Sequence, residues 1–174
     1  MITTPNISTS EKQETVSIKR TFNLPLSNVW KAWTDPESFK KWWGPKGYTC
    51  LTCTIDFKVG GLYLNSMQAA DGHEIWTTGI YKEIMPLEKL VYTDSFADSK
   101  GNIVPASFYK MPGEWALELI VTVEFKEVKG RTNITLEQVG LPAEMGEECM
   151  KGWQSSFDKL EASANNNLIH SEKK

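Results

Sequence analysis

Residues 143–164 read AEMGEECMKGWQSSFDKLEASA. Met145, Cys149, Trp153, Phe157, Leu160 and Ala164 recur at spacings of four and three, which predicts a single helix with one apolar stripe. At 1.5 Å per residue such a helix is ~33 Å long, enough to cross a whole sheet. Its stripe needs an apolar surface of similar extent. Upstream, Trp115, Leu117, Leu119, Val121, Val123 and Phe125 alternate, the period of a strand with one buried face. Lys129-Gly130 then turns the chain into a further strand over residues 132–139.

Working outward, a first strand spans residues 15–22, with Val16, Ile18 and Phe22 on one face and Arg20 as the exception. Leu26, Val29, Trp30 and Trp33 then form a helical stripe behind Pro25, which suits a first turn. Asp35-Pro36 opens a second short helix, with Asp35 as cap, and Gly44-Pro45 ends it. Residues 49–57 alternate, with Leu51, Cys53, Ile55 and Phe57 on one face. Gly60-Gly61, the hairpin signal Asp71-Gly72 and the turn at 86–89 separate strands at 62–67, 75–84 and 90–96. A long polar loop covers 97–113. Consecutive strands joined by short turns imply an antiparallel meander. The expected fold is α+β in a helix-grip layout: a curved antiparallel sheet wrapped around the long C-terminal helix, with two short helices after the first strand. The expected organisation is one domain over residues 15–164, between flexible tails at 1–13 and 165–174.

The chain has 174 residues, 40% hydrophobic, 24% charged and 11% aromatic, values that exclude a disordered or fibrous chain. The net charge is −3 and no basic stripe is evident, which argues against nucleic acid as a partner. No apolar run reaches the ~20 residues of a membrane span, so membrane insertion is not expected. The N-terminus lacks a basic stretch followed by an apolar one, so no secretion signal is read and the expected location is cytoplasmic. Three cysteines, an odd count, fit a reducing compartment. Cys50 and Cys53 have C-x-x-C spacing, but in a strand they point to opposite faces, and no second pair completes a zinc site. The glycosylation matches at Asn6 and Asn133 carry no weight in that compartment.

Several motifs stand out together. They are residues 29–37 (VWKAWTDPE), 41–48 (KWWGPKGY), 79–84 (GIYKEI), 86–93 (PLEKLVYT) and the closing Gly152-Trp153. In these the chain resembles the START-like SRPBCC superfamily, and within it the family of homologues of the activator of the heat-shock-protein-90 ATPase. The resemblance extends over about residues 15–164. It implies a helix-grip fold with a deep cavity between sheet and helix. Members of the superfamily bind lipids, hormones and polyketides there, and a few are catalysts. It also suggests a chaperone partner, although the eukaryotic co-chaperone binds its chaperone through an additional N-terminal domain.

The residues offer little catalytic machinery. His73 is expected in water at a hairpin tip and His170 in the C-terminal tail, so a Ser-His or Cys-His pair has no placed base. No metal-ligand cluster is present, and no Gly-rich loop precedes a helix, so no cofactor is expected. Asp94 shares the parity of Tyr92 and Phe96. If that face lines a cavity, Asp94 is a carboxylate in apolar surroundings with a raised pKa, a weak catalytic candidate. The expected ligand-binding residues are Trp43, Phe57, Trp76, Tyr92, Phe96, Phe108, Trp115, Leu117, Trp153 and Phe157. So many large rings are hard to close-pack without a gap. The 97–113 loop, with Phe108, Tyr109 and Met111, is expected to flank the cavity mouth. Three functions stay open: binding, carrying or sensing a small hydrophobic molecule; an enzyme using Asp94 on a cyclic or polyketide-like substrate; and a protein-interaction module. A homodimer is compatible with each.

Overall fold

The computed structural model describes residues 13–171. The eight strands are β1 (Gln13–Phe22), β2 (Tyr48–Thr49), β3 (Cys53–Ile55), β4 (Leu62–Ala69), β5 (Glu74–Met85), β6 (Lys89–Ala97), β7 (Leu119–Val128) and β8 (Arg131–Pro142). Three α-helices accompany them: α1 (Leu26–Thr34), α2 (Pro36–Phe39) and α3 (Gly146–Ser171). The strands form one antiparallel sheet in the order β1-β8-β7-β6-β5-β4-β2, with β3 also paired to β4. The first strand closes the sheet beside the last, and the curled sheet grips α3 as a helix-grip layout requires.

The alternation that predicted the strands is the alternation of burial. Leu119, Val121, Val123 and Phe125 on β7, and Thr132, Ile134, Leu136 and Gln138 on β8, turn inward. Val16, Ile18 and Phe22 do so on β1. The stripe of α3 meets them with Trp153, Phe157, Leu160 and Ala164. Arg20, the exception on β1, reaches α3 instead, donating to Gln154 Oε1 at 3.0 Å, Asp158 Oδ1 at 2.7 Å and Glu161 Oε2 at 3.3 Å. Asp35 caps α2 by accepting from the Ser38 amide at 2.9 Å and the Ser38 hydroxyl at 2.8 Å.

Three expectations change. Residues 49–57 are not one strand: β2 and β3 are separated by a step where the Ser66 amide donates to the Thr52 carbonyl, and Leu51 is 52% exposed. β7 begins at Leu119, not at Trp115. The Ala116 amide donates to the Gly140 carbonyl, and residues 117–118 bend away, leaving Leu117 58% exposed. Gly140, at φ +109°, supplies the matching break in β8, and a side chain there would crowd Ala116. Finally, α3 runs on to Ser171, past the boundary expected at Ala164. The tail expected at residues 1–13 lies outside the described residues except for Gln13, which pairs with Pro142 in β1. Residues 172–174 and the side chain of His170 also lie outside the description.

Candidate functional site

The sequence Lys41-Trp42-Trp43-Gly44-Pro45 sends two neighbouring indoles apart. Trp42 is fully buried, and its indole N–H donates to the Ala32 carbonyl at 2.8 Å. Trp43 stacks on Phe39 with ring centroids 5.0 Å apart and stands edge-on to Trp153 at 5.5 Å. Beyond Trp43 opens a cavity of about 280 Å³ between the sheet and the N-terminal half of α3. Ile75, Thr77, Asp94 and Phe96 form its floor, Trp153 and Cys149 its roof, and Trp115 and Met111 one side. The loop from Trp43 to Tyr48 forms part of the rim. Lys159 holds this loop from below, donating to the carbonyls of Gly44 at 2.9 Å and Tyr48 at 3.0 Å, while Ser155 Oγ accepts from the Lys46 amide at 2.7 Å. A smaller void of about 20 Å³, walled by Tyr63, Tyr81 and Tyr92 among others, lies on the other side of Trp43. It has room for about one water.

Of the ten expected ligand-binding residues, Trp43, Phe96, Trp115 and Trp153 line the larger cavity. Tyr92 lines only the small void. The other five do not line either. Phe157 lies one turn further along α3 than Trp153 and is consumed by the core, edge-on to Phe22 at 5.6 Å. Phe57 packs against Trp30 and Tyr81. Trp76 sits between Ile75 and Thr77 on β5, so the pleat turns it to the opposite face. Leu117 points outward at the bend before β7, and Phe108 is 57% exposed. The 97–113 loop does reach the cavity, but through Met111. Tyr109 fastens it to the paired ends of the central strands β5 and β6, donating to the Ala97 carbonyl and accepting from the Trp76 amide at 3.1 Å.

Asp94 lies in the cavity wall as its parity predicted. Tyr63 donates its hydroxyl to Asp94 Oδ1 at 2.9 Å and is also 2.9 Å from the Thr93 carbonyl. The Gln138 amide stands 3.5 Å from Oδ2, and its oxygen accepts the Trp153 indole N–H at 2.9 Å. Burial pushes the Asp94 carboxyl up to about 6, with the Tyr63 bond opposing the rise. Burial, and then the charge of Asp94, hold Tyr63 and Tyr92 well above the ordinary phenol range. Gln138 went unnoticed in the sequence, although it continues the inward series Ile134-Leu136, and a polar residue in an apolar series is a signal. Gly152 was also missed as a lining residue. The five aromatic residues that line the cavity, Trp43, Tyr48, Phe96, Trp115 and Trp153, with Asp94 in the wall and Glu148 at the rim, suit an apolar molecule with few polar groups.

The other candidates have no such setting. His73 is exposed at the β4–β5 hairpin tip, hydrogen-bonded to Asp71. Cys50 and Cys53 are free thiols, raised to about 11 and about 12 chiefly by burial, so both stay protonated and poorly reactive near neutrality. Among the described residues no three His, Cys, Asp or Glu side chains are grouped to hold a metal, and no helix is long and apolar enough to cross a membrane.

The profile of the family described as activator of Hsp90 ATPase homolog 1-like protein matches residues 23–165. No curated protein matches the chain. Among solved structures, a protein from Chromobacterium violaceum is 30% identical, with a TM-score of 0.70 over 85% of this chain and 94% of its own. A protein from Nitrosomonas europaea is 21% identical, with a TM-score of 0.72 over 89% and 96%. An AHSA1 protein from Silicibacter pomeroyi is 20% identical, with a TM-score of 0.70 over 88% and 99%.

Proposed function

The chain belongs to the activator of Hsp90 ATPase homolog 1-like family, and from that premise we propose that it binds, and so carries or senses, a small hydrophobic molecule between the sheet and α3. Ligands of the family are in general hydrophobic. One observation carries the reading for this chain: an aromatic-walled cavity of about 280 Å³, with its rim made by two loops. A dry cavity of ~150 Å³ already admits benzene, so this one has room for a ligand of about two fused rings.

Gly152 provides the test. It lines the cavity from α3, and a Cβ built on it meets nothing within 4 Å. Gly152→Phe puts a ring into the empty space while replacing a helix-weakening glycine, so it should keep or raise stability. Titration with 1-naphthalenemethanol, followed by tryptophan fluorescence, should saturate in the parent. The same titration should be flat in Gly152→Phe, with an unchanged or higher Tm. Equal binding by both proteins would remove the cavity from the account.

A second reading draws on Asp94 alone. A carboxyl titrating near 6 beside an apolar cavity is suited to general acid or base work on a cyclic substrate. It predicts that Asp94→Asn abolishes turnover while binding persists. A bound molecule that is always returned unchanged leaves the binding reading alone.

A further inference from the structure

The polar groups of the cavity wall have a definite sign. The lining contains two carboxylates, Asp94 in the wall and Glu148 at the rim, and no Lys, Arg or His. Asp94 has no ion-pair partner among the described residues. Tyr63 occupies Oδ1, whereas Oδ2 has only the Gln138 amide at 3.5 Å, the limit of a hydrogen bond. Gln138 cannot turn its amide oxygen away without releasing the Trp153 indole. Oδ2 therefore has spare accepting capacity. The rings of Trp43, Phe96, Trp115 and Trp153 present π faces and edges to the same space, and aromatic faces attract a cation and repel an anion. The Trp43 indole N–H and the Ser95 hydroxyl are buried without partners, but two neutral donors do not reverse the field of a carboxylate.

We propose that the cavity selects an apolar organic amine, bound as its ammonium with N–H groups on Asp94 Oδ2, and rejects apolar carboxylates of the same size. The inference rests on the binding reading above and names the chemical class of its ligand. The groups facing Asp94 are Tyr63 from β4, Tyr92 on its own strand, Gln138 from β8, and Cys149 and Trp153 from α3. Tyr63, Tyr92 and Cys149 stay neutral at physiological pH, each raised by burial. Asp94 is thus the charge within the wall that sets the preference, Glu148 at the rim adding charge of the same sign, and lowering the pH through about 6 removes the Asp94 charge.

Three probes of one shape separate this inference from its premise: 1-naphthylmethylamine, 1-naphthalenemethanol and 1-naphthoate, titrated into the full chain by calorimetry near pH 7.5. The amine should bind about tenfold or more tighter than the naphthoate, with the alcohol between. Asp94→Asn should remove most of the difference between the amine and the naphthoate, bringing the two within about twofold. A pH series on the unaltered protein needs no variant: amine affinity should fall by roughly tenfold from pH 7 to pH 5, following the ionised fraction of Asp94. Equal binding of amine and naphthoate, or a preference that survives Asp94→Asn, overturns the inference while the alcohol still supports the cavity. Binding by none of the three overturns both.

Discussion

Asp94 makes the protein less stable than its isosteric amide would, and the sign follows from its environment. A carboxyl raised to about 6 in the folded chain, against about 3.9 unfolded, holds its proton more tightly when folded. Its contribution to stability is therefore full below about pH 4, declines as pH rises toward 6, and is lost above. Asp94→Asn should raise stability by up to roughly 3 kcal/mol near pH 7.5 and change it little near pH 4. Denaturant melts at the two pH values check this; an Asn variant less stable at both would contradict it. The residue that makes the arrangement possible is Gly79. A Cβ there would collide with the Thr93 carbonyl and with the Tyr63 ring. Gly79→Ala should therefore cost stability and displace Tyr63 from Asp94, which raises the Asp94 pKa further. Carboxyl titration by NMR is the readout, and an unmoved pKa would sink the coupling. Parity in β6 made Asp94 legible in the sequence. Gln138 was equally legible by parity but lacks a charge to draw notice. The collision that requires Gly79 is between strands, and no local pattern reports it.

The elements show where periodicity suffices and where it stops. The α3 stripe, the β1 face and the Asp35 cap all follow from local spacing. Asp35 accepts two bonds from Ser38, which hold its carboxyl below the usual range. Its stabilisation is present above the unfolded pKa and is lost as pH falls through the lower folded value. Asp35→Ala should cost about 1 kcal/mol at neutral pH and less in acid; an equal loss at both would place the effect elsewhere. The breaks at residues 50–52 and 117–118 were not legible, because alternation continues through a bend that only a partner strand imposes. Lys159 is a tertiary feature of the same kind. Its ammonium holds the rim loop through backbone carbonyls, and a carbonyl carries no side-chain signature. Lys159→Met should lower stability by roughly 2 kcal/mol and speed ligand release, since the rim loses its tether. Stopped-flow dissociation of 1-naphthalenemethanol would show the change; an unaltered rate would mean the loop does not gate the site.

At the scale of the molecule, one stripe has two fates. Toward its C-terminal half, Phe157, Leu160 and Ala164 close a solid core with Phe22, Trp33 and Trp42. Toward its N-terminal half, Met145, Cys149, Gly152 and Trp153 face empty space. The sequence announced a sheet that needs a helix and a helix that needs a sheet. Whether their meeting is filled depends on a few ångströms of separation and on bends such as the one at residues 117–118, and the pattern of apolar residues does not encode those distances. The family assignment supports a cavity, and the geometry locates it at the end of the helix where Gly152 stands.

The most direct measurement is native mass spectrometry of the chain purified from its own cells, alongside Gly152→Phe prepared identically, with extraction of whatever either protein carries. The parent should show a one-to-one addition of a small apolar molecule, which the extract identifies, and the Gly152→Phe protein should appear at its bare mass. A bare parent that also ignores 1-naphthalenemethanol, or an addition that persists in Gly152→Phe, would contradict binding in this cavity.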